Sequence, residues 1–139
     1  MSYLLDTNVI SELRKRDRIH PSVALWIASV VPDELHTSVL VIGEIRHGIT
    51  LKRRSDPAQA ASLAAWLERI RAGLAGRILP VDERVAETWG GLGAPDPIPT
   101  IDGLLAATAL VHGMTLVSRN LADLGRTGAV LLNPFLFEG

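Results

Sequence analysis

Short apolar stretches alternate with longer segments of helical periodicity along this chain, and that alternation restricts the fold more than any other feature. Ser2–Leu5, Leu35–Ser38, Ile78–Val81, Thr115–Val117 and Ala129–Leu132 have the length of buried strands and are too short for stable helices. Between them, Val41, Ile42, Ile45 and Ile49 recur at helical spacing, and so do Leu63, Trp66, Leu67 and Ile70. Helices are expected over Val9–Leu13, Pro21–Val31 and Val39–Arg54, from Asp56-Pro57 onward, from Asp82 to about Trp89, and from Thr100 to Gly113. Thr7-Asn8, Ser38, Asp82 and Thr100 offer cap chemistry at four of these starts. Strands joined by helices must run parallel, because each connection carries the chain back to the same edge. The expected fold is α/β, a central, mainly parallel five-stranded sheet flanked by helices in three layers.

With 139 residues, the chain is expected to form one domain over positions 1–139, long enough to bury a core of its own. Hydrophobic residues make up 47% and charged residues 21%, which excludes general disorder. Cysteine is absent, so disulfides, thiol catalysis, Cys-zinc sites and iron–sulfur clusters are excluded. His20, His36, His47 and His112 lack zinc-site spacing, so a bound metal would be held through oxygen. The formal net charge of −1 hides a basic N-terminal half and an acidic C-terminal half. No stretch is apolar for long enough to span a membrane, and the N-terminus lacks a signal-peptide pattern, so a cytoplasmic protein without membrane association is expected.

The chemistry concentrates in acidic residues where strands end. Asp6 follows the first strand directly, where open α/β sheets bind ligands. Glu44 lies within a helix beside Val41, Ile42 and Ile45, and Asp102 lies in the first turn of another helix. Carboxylates near a core are costly unless paired or bound to a cation. Three of them on separate elements suit one hard ion such as Mg²⁺ or Mn²⁺. Ser118-Arg119-Asn120 follows the fourth strand and reaches the same crevice; either Asn120 or Asp123 would complete the site. Each residue also has a purely structural use: Asp6, Ser118 and Asn120 as caps, Asp102 at a helix dipole, Glu44 on a solvated face.

Four segments in order resemble the motifs of PIN-domain ribonucleases, most closely the VapC and FitB-type toxins of bacterial toxin–antitoxin pairs. They are Leu4-Leu5-Asp6-Thr7-Asn8-Val9-Ile10-Ser11-Glu12, Ser38 to Gly48 around Glu44, Asp102-Gly103-Leu104-Leu105-Ala106-Ala107-Thr108-Ala109, and Leu116-Val117-Ser118-Arg119-Asn120. Gly76-Arg77-Ile78-Leu79-Pro80 and Asn133-Pro134-Phe135 are similar to the FitB-like branch, so the resemblance covers nearly the whole chain.

The resemblance implies an endoribonuclease dependent on Mg²⁺ or Mn²⁺, with Asp6, Glu44 and Asp102 at the family's three acidic positions and as metal ligands. Asn120 stands where many relatives carry a fourth acid. Thr7, Ser118 and Asp123 are supporting candidates. The basic residues Arg14, Lys15, Arg16 and Arg46 are candidates for RNA contact, with Arg18 and Lys52-Arg53-Arg54 beside them. The resemblance also implies a VapB-like antitoxin as partner, a homodimer, and a heterotetramer or hetero-octamer with that antitoxin. Trp26, Trp66 and Trp89 are expected in the core or between subunits.

Two other phosphoryl-transfer folds fit less well. A haloacid-dehalogenase-type phosphatase needs a second Asp where this chain has Asn8, and a receiver domain needs a late lysine, whereas Lys15 and Lys52 are the only lysines. The alternative from another class is a non-catalytic PIN-fold module that binds RNA or a partner, which the missing fourth acid at Asn120 keeps open.

Overall fold

The computed structural model describes residues 1–139. Strands β1 (Tyr3–Leu5), β2 (Leu35–Ser38), β3 (Ile78–Leu79), β4 (Thr115–Val117) and β5 (Leu131–Leu132) form one sheet in the order β3-β2-β1-β4-β5, and every pairing is parallel. Six helices accompany it: α1 (Thr7–Leu13), α2 (Pro21–Ser29), α3 (Val39–Ser55), α4 (Pro57–Gly73), α5 (Glu83–Gly90) and α6 (Thr100–His112). This is the expected parallel α/β sheet of five strands. Its order reverses at β1: β2 and β3 extend to one side, β4 and β5 to the other. The crevice between the carboxyl ends of β1 and β4 is therefore the topological switch point, where such sheets bind ligands.

The core lies on the central strands. Leu4 and Leu116 are fully buried, and Val9, Trp26, Ile49 and Leu67 close over them from α1, α2, α3 and α4. The Trp26 ring stands edge-on to Tyr3, with centroids 5.3 Å apart. α3 and α4 pack along each other as an antiparallel pair joined at Asp56, whose carboxylate accepts the Gln59 amide at 3.1 Å.

Several boundaries differ from the sequence expectation, each for a local reason. α1 begins at Thr7, because Asp6, not Thr7-Asn8, is its cap and accepts the Val9 amide at 3.3 Å. The Pro99 carbonyl accepts the Gly103 amide at 2.9 Å, so Thr100 already lies inside α6 and does not cap it. α2 ends at Ser29, whose hydroxyl bonds the Trp26 carbonyl at 2.6 Å; Val30 is extended and Val31 faces solvent. β3 and β5 are two-residue edge strands, shorter than expected because each pairs on one side only. Ser38 and Asp82 cap α3 and α5 as expected, and α6 stops at Gly113, whose left-handed φ of 64° favours glycine. Trp26 is buried, Trp66 half-buried and Trp89 exposed. No helix is long and apolar enough to cross a membrane.

Candidate active site

The register of β1 with β4 builds the centre of the site. Leu5 pairs with Val117, so the next residues, Asp6 and Ser118, meet where both strands end. The Asp6 amide donates to the Val117 carbonyl at 3.1 Å, and the Ser118 hydroxyl donates to Asp6 Oδ2. Asp6 Oδ2 also accepts from Asn8 Nδ2 at 3.3 Å, while Oδ1 caps α1. The carboxylate is thus fixed by three neighbours and is only 7% exposed. Burial pushes its pKa up to about 6; the bonds from Ser118 and Val9 pull it down, and the negative charge of Asp102 adds to the rise.

Asp102 arrives from the first turn of α6 and is half-buried. Its pKa is also raised, first by burial, then by the charges of Glu44 and Asp123. Its Oδ2 accepts from Asn120 Nδ2 at 3.5 Å. Glu44 sits on the exposed side of α3, with Val41 and Ile45 turned inward to the core, and accepts the Thr7 hydroxyl at 2.5 Å. It is a rim residue, not the core-embedded carboxylate that its apolar flanks suggest. The charge of Asp102 thus bears on Asp6, and those of Glu44 and Asp123 bear on Asp102, with no lysine or arginine contributing to the shifts of Asp6 or Asp102.

No three His, Asp or Glu side chains close on a single point tightly enough to cage a metal unaided. The donors are nonetheless all oxygens, Asp6, Glu44 and Asp102 form no ion pair with a lysine or arginine, and Asp102 and Glu44 reach solvent. That chemistry fits a hard divalent ion whose remaining positions are filled by water.

A PIN domain model matches residues 3–128. The chain belongs to the PIN-domain family. It is 32% identical to Toxin FitB of Neisseria gonorrhoeae over 95% of this chain and 97% of that one. It is likewise 32% identical to VapC ribonuclease Y4jK of Sinorhizobium fredii, over 95% of this chain and 96% of that one. The crystal structure of FitAcB from Neisseria gonorrhoeae matches it with a TM-score of 0.87 at 31% identity, covering 97% of this chain and 99% of that one. The expected membership among VapC- and FitB-type toxins thus holds, and a toxin–antitoxin ribonuclease is the functional class this membership supports.

In this PIN domain, Asn120 rather than Asp123 makes the direct contact with Asp102; Asp123 acts from farther away and is paired with Arg126 at 3.5 Å. Ser118 and Thr7 each hold an acidic partner, Asp6 and Glu44 respectively. Asn8 is a member that sequence reasoning reads only as a cap. It ties Asp6 to the β4 end, since its Oδ1 accepts the Arg119 amide at 3.2 Å, and nothing in the local sequence signals that long-range contact.

Gly103 is a second residue that the sequence leaves unremarked. A Cβ there would lie 3.1 Å from two atoms of the Trp89 indole. The first turn of α6, which carries Asp102, can approach α5 closely only because this side chain is absent. Gly103→Ala is expected to shift that turn and lower RNA cleavage about 10-fold or more, with a stability loss of only about 1–2 kcal/mol because the exposed Trp89 can give way. Parallel rate and melting measurements on the variant check this.

The basic candidates divide. Lys15 is taken up by Glu12 at 2.9 Å, and Arg46 by Glu68 at 3.4 Å. Arg14 lines a groove of about 390 Å³ that starts at Thr7 and Glu44 and runs past Lys52 and Trp66. Arg14 and Arg16 line the adjoining hollow together with Arg69. Of the histidines, His20 caps α2 by accepting the Ser22 amide at 3.2 Å and stands edge-on to Phe135.

Proposed function

We propose that this PIN domain is the toxin of a VapBC-type pair and hydrolyses RNA phosphodiesters at the Asp6–Asp102 recess. One observation carries the reading. Asp6, buried at the switch point just after β1 and bonded to Ser118 at the end of β4, feels the charge of Asp102 from α6, which in turn feels that of Glu44. Asp6, Asp102 and Glu44 would hold Mg²⁺ or Mn²⁺, which when bound polarises a phosphoryl oxygen and lowers the pKa of water.

The remaining work belongs to the chain. Ser118, Asn8 and the Val9 amide hold Asp6 in one rotamer, so its oxygens are aimed before substrate arrives. Thr7 does the same for Glu44, and the Asn120 amide orients Asp102 without adding the fourth negative charge that an acid would bring. Asp123 supplies part of that charge from farther out. The groove along Arg14 and Lys52 leads RNA phosphates toward the recess, with Arg16 beyond it; Lys15 and Arg46 contribute after release from Glu12 and Glu68. Cleavage leaves a 5′-phosphate and a 3′-hydroxyl. A VapB-like antitoxin covers the site in a heterotetramer or hetero-octamer built on a toxin homodimer, in the cytoplasm.

Cleavage mapping on total RNA tests the reading. Products are expected with Mg²⁺ or Mn²⁺, at least 100-fold fewer with chelator, and a comparable loss in Asp102→Asn. RNA bound equally with and without metal, and never cut, would instead identify a binding module.

A further inference from the structure

Arg119 stands between two residues of the site, Ser118 and Asn120, yet neither the acidic recess nor the basic groove accounts for it. Its guanidinium lies over the Phe135 ring, 4.2 Å from the centroid, and its amide is bonded to Asn8. Phe135 is itself buried and backed by His20. The side chain is exposed, and none of the molecule's ion pairs uses it. An arginine beside an acidic recess would ordinarily fold onto a carboxylate. Here the aromatic ring holds it aside instead, with the flat face covered and the N–H edge free.

We infer that Arg119 is a substrate-binding residue, whose guanidinium edge takes the non-bridging oxygens of an RNA phosphate adjacent to the scissile bond. The inference rests on the RNA-hydrolysing reading above and adds a contact to it. Guanidinium presents paired donors that match a phosphate, and stacking on Phe135 leaves that fork ordered before binding, so little freedom is lost on contact. The position also suits the charge pattern. RNA must approach a recess of carboxylates, and a fixed cation beyond it offsets the repulsion at a neighbouring phosphate without neutralising Asp6 or Asp102. Together with Arg14 in the groove, Arg119 would give the strand a second anchor.

The test compares Arg119→Ala, Arg119→Lys and Arg119→Met with wild type on a short single-stranded RNA in Mn²⁺, at two or more salt concentrations. Wild-type cleavage comes first; its absence would sink the nuclease reading and not this residue's role. Given cleavage, Arg119→Ala is expected to lose about 10–100-fold in kcat/KM, mainly through KM, and to depend less steeply on salt by about one phosphate contact. Arg119→Lys keeps the charge and loses the fork, so partial activity is expected. Arg119→Met covers Phe135 as well as arginine does but carries no charge, and it should remain as impaired as Arg119→Ala, with a melting temperature near wild type. Wild-type kcat/KM in Arg119→Ala, or recovery of cleavage in Arg119→Met, would overturn the inference.

Discussion

Replacing Asp6 with Asn is expected to abolish RNA cleavage and, in metal-free buffer near neutral pH, to make the protein more stable. The two effects have one cause. Asp6 is held charged in a buried position facing Asp102, which raises its pKa from 3.8 to about 6. A rise of that size corresponds to about 3 kcal/mol of strain against the ionised form. Asn keeps an oxygen for the Val9 amide and removes the charge, but its amide nitrogen replaces Oδ2, so the bond from Asn8 is lost and Ser118 must accept instead of donate. The net gain should be about 2 kcal/mol, or several degrees in melting temperature. The sign follows from linkage. The folded state holds this proton more tightly than the unfolded chain, so the penalty is fully present above pH 6 and disappears as pH falls toward 3.8. The gap between variant and wild type should therefore close on acidification, and excess Mn²⁺ should stabilise the wild type alone. Cleavage should fall by roughly 10²–10³-fold or more. Melting curves at pH 7.5 and pH 4.5, with and without Mn²⁺, check the stability half. A variant no more stable than wild type at the higher pH would show that Asp6 is not held under charge strain.

Trp26→Ala is expected to have the largest effect on stability, about 3–5 kcal/mol, a large share of what a domain of this size possesses. Trp26 is 1% exposed and fills the space between α2 and β1, edge-on to Tyr3. Nothing nearby can refill an indole-sized void, since the surrounding strand and helix backbones are fixed by the sheet. Urea titration followed by circular dichroism reads the change as a lower midpoint at similar slope. Tyr3 opens the strand that leads into Asp6, so the same variant should lose cleavage at temperatures where most of it remains folded.

Local chemistry made much of this fold legible in advance. β2 and β4 lie where their short runs indicate, and Ser38, Asp56 and Asp82 cap the helices they precede. Asp6 and Asp102 stand out in the sequence as candidates because a carboxylate next to an apolar strand or helix start is expensive without a partner or a bound cation. Boundaries failed where two residues compete for one role. Asp6 takes the cap from Thr7-Asn8, and Pro99 takes the helix start from Thr100.

Sequence alone determined the alternation of strands and helices, the oxygen-only donor set and the position of each acid on its own element, because these depend on neighbours a few residues apart. Tertiary structure decided the rest. It placed β4 beside β1 so that Ser118 meets Asp6, chose Asn120 over Asp123 to touch Asp102, tied up Lys15 and Arg46, and laid Arg119 on Phe135. Each of these is a contact between distant segments, set by strand order and register, and no local preference encodes it.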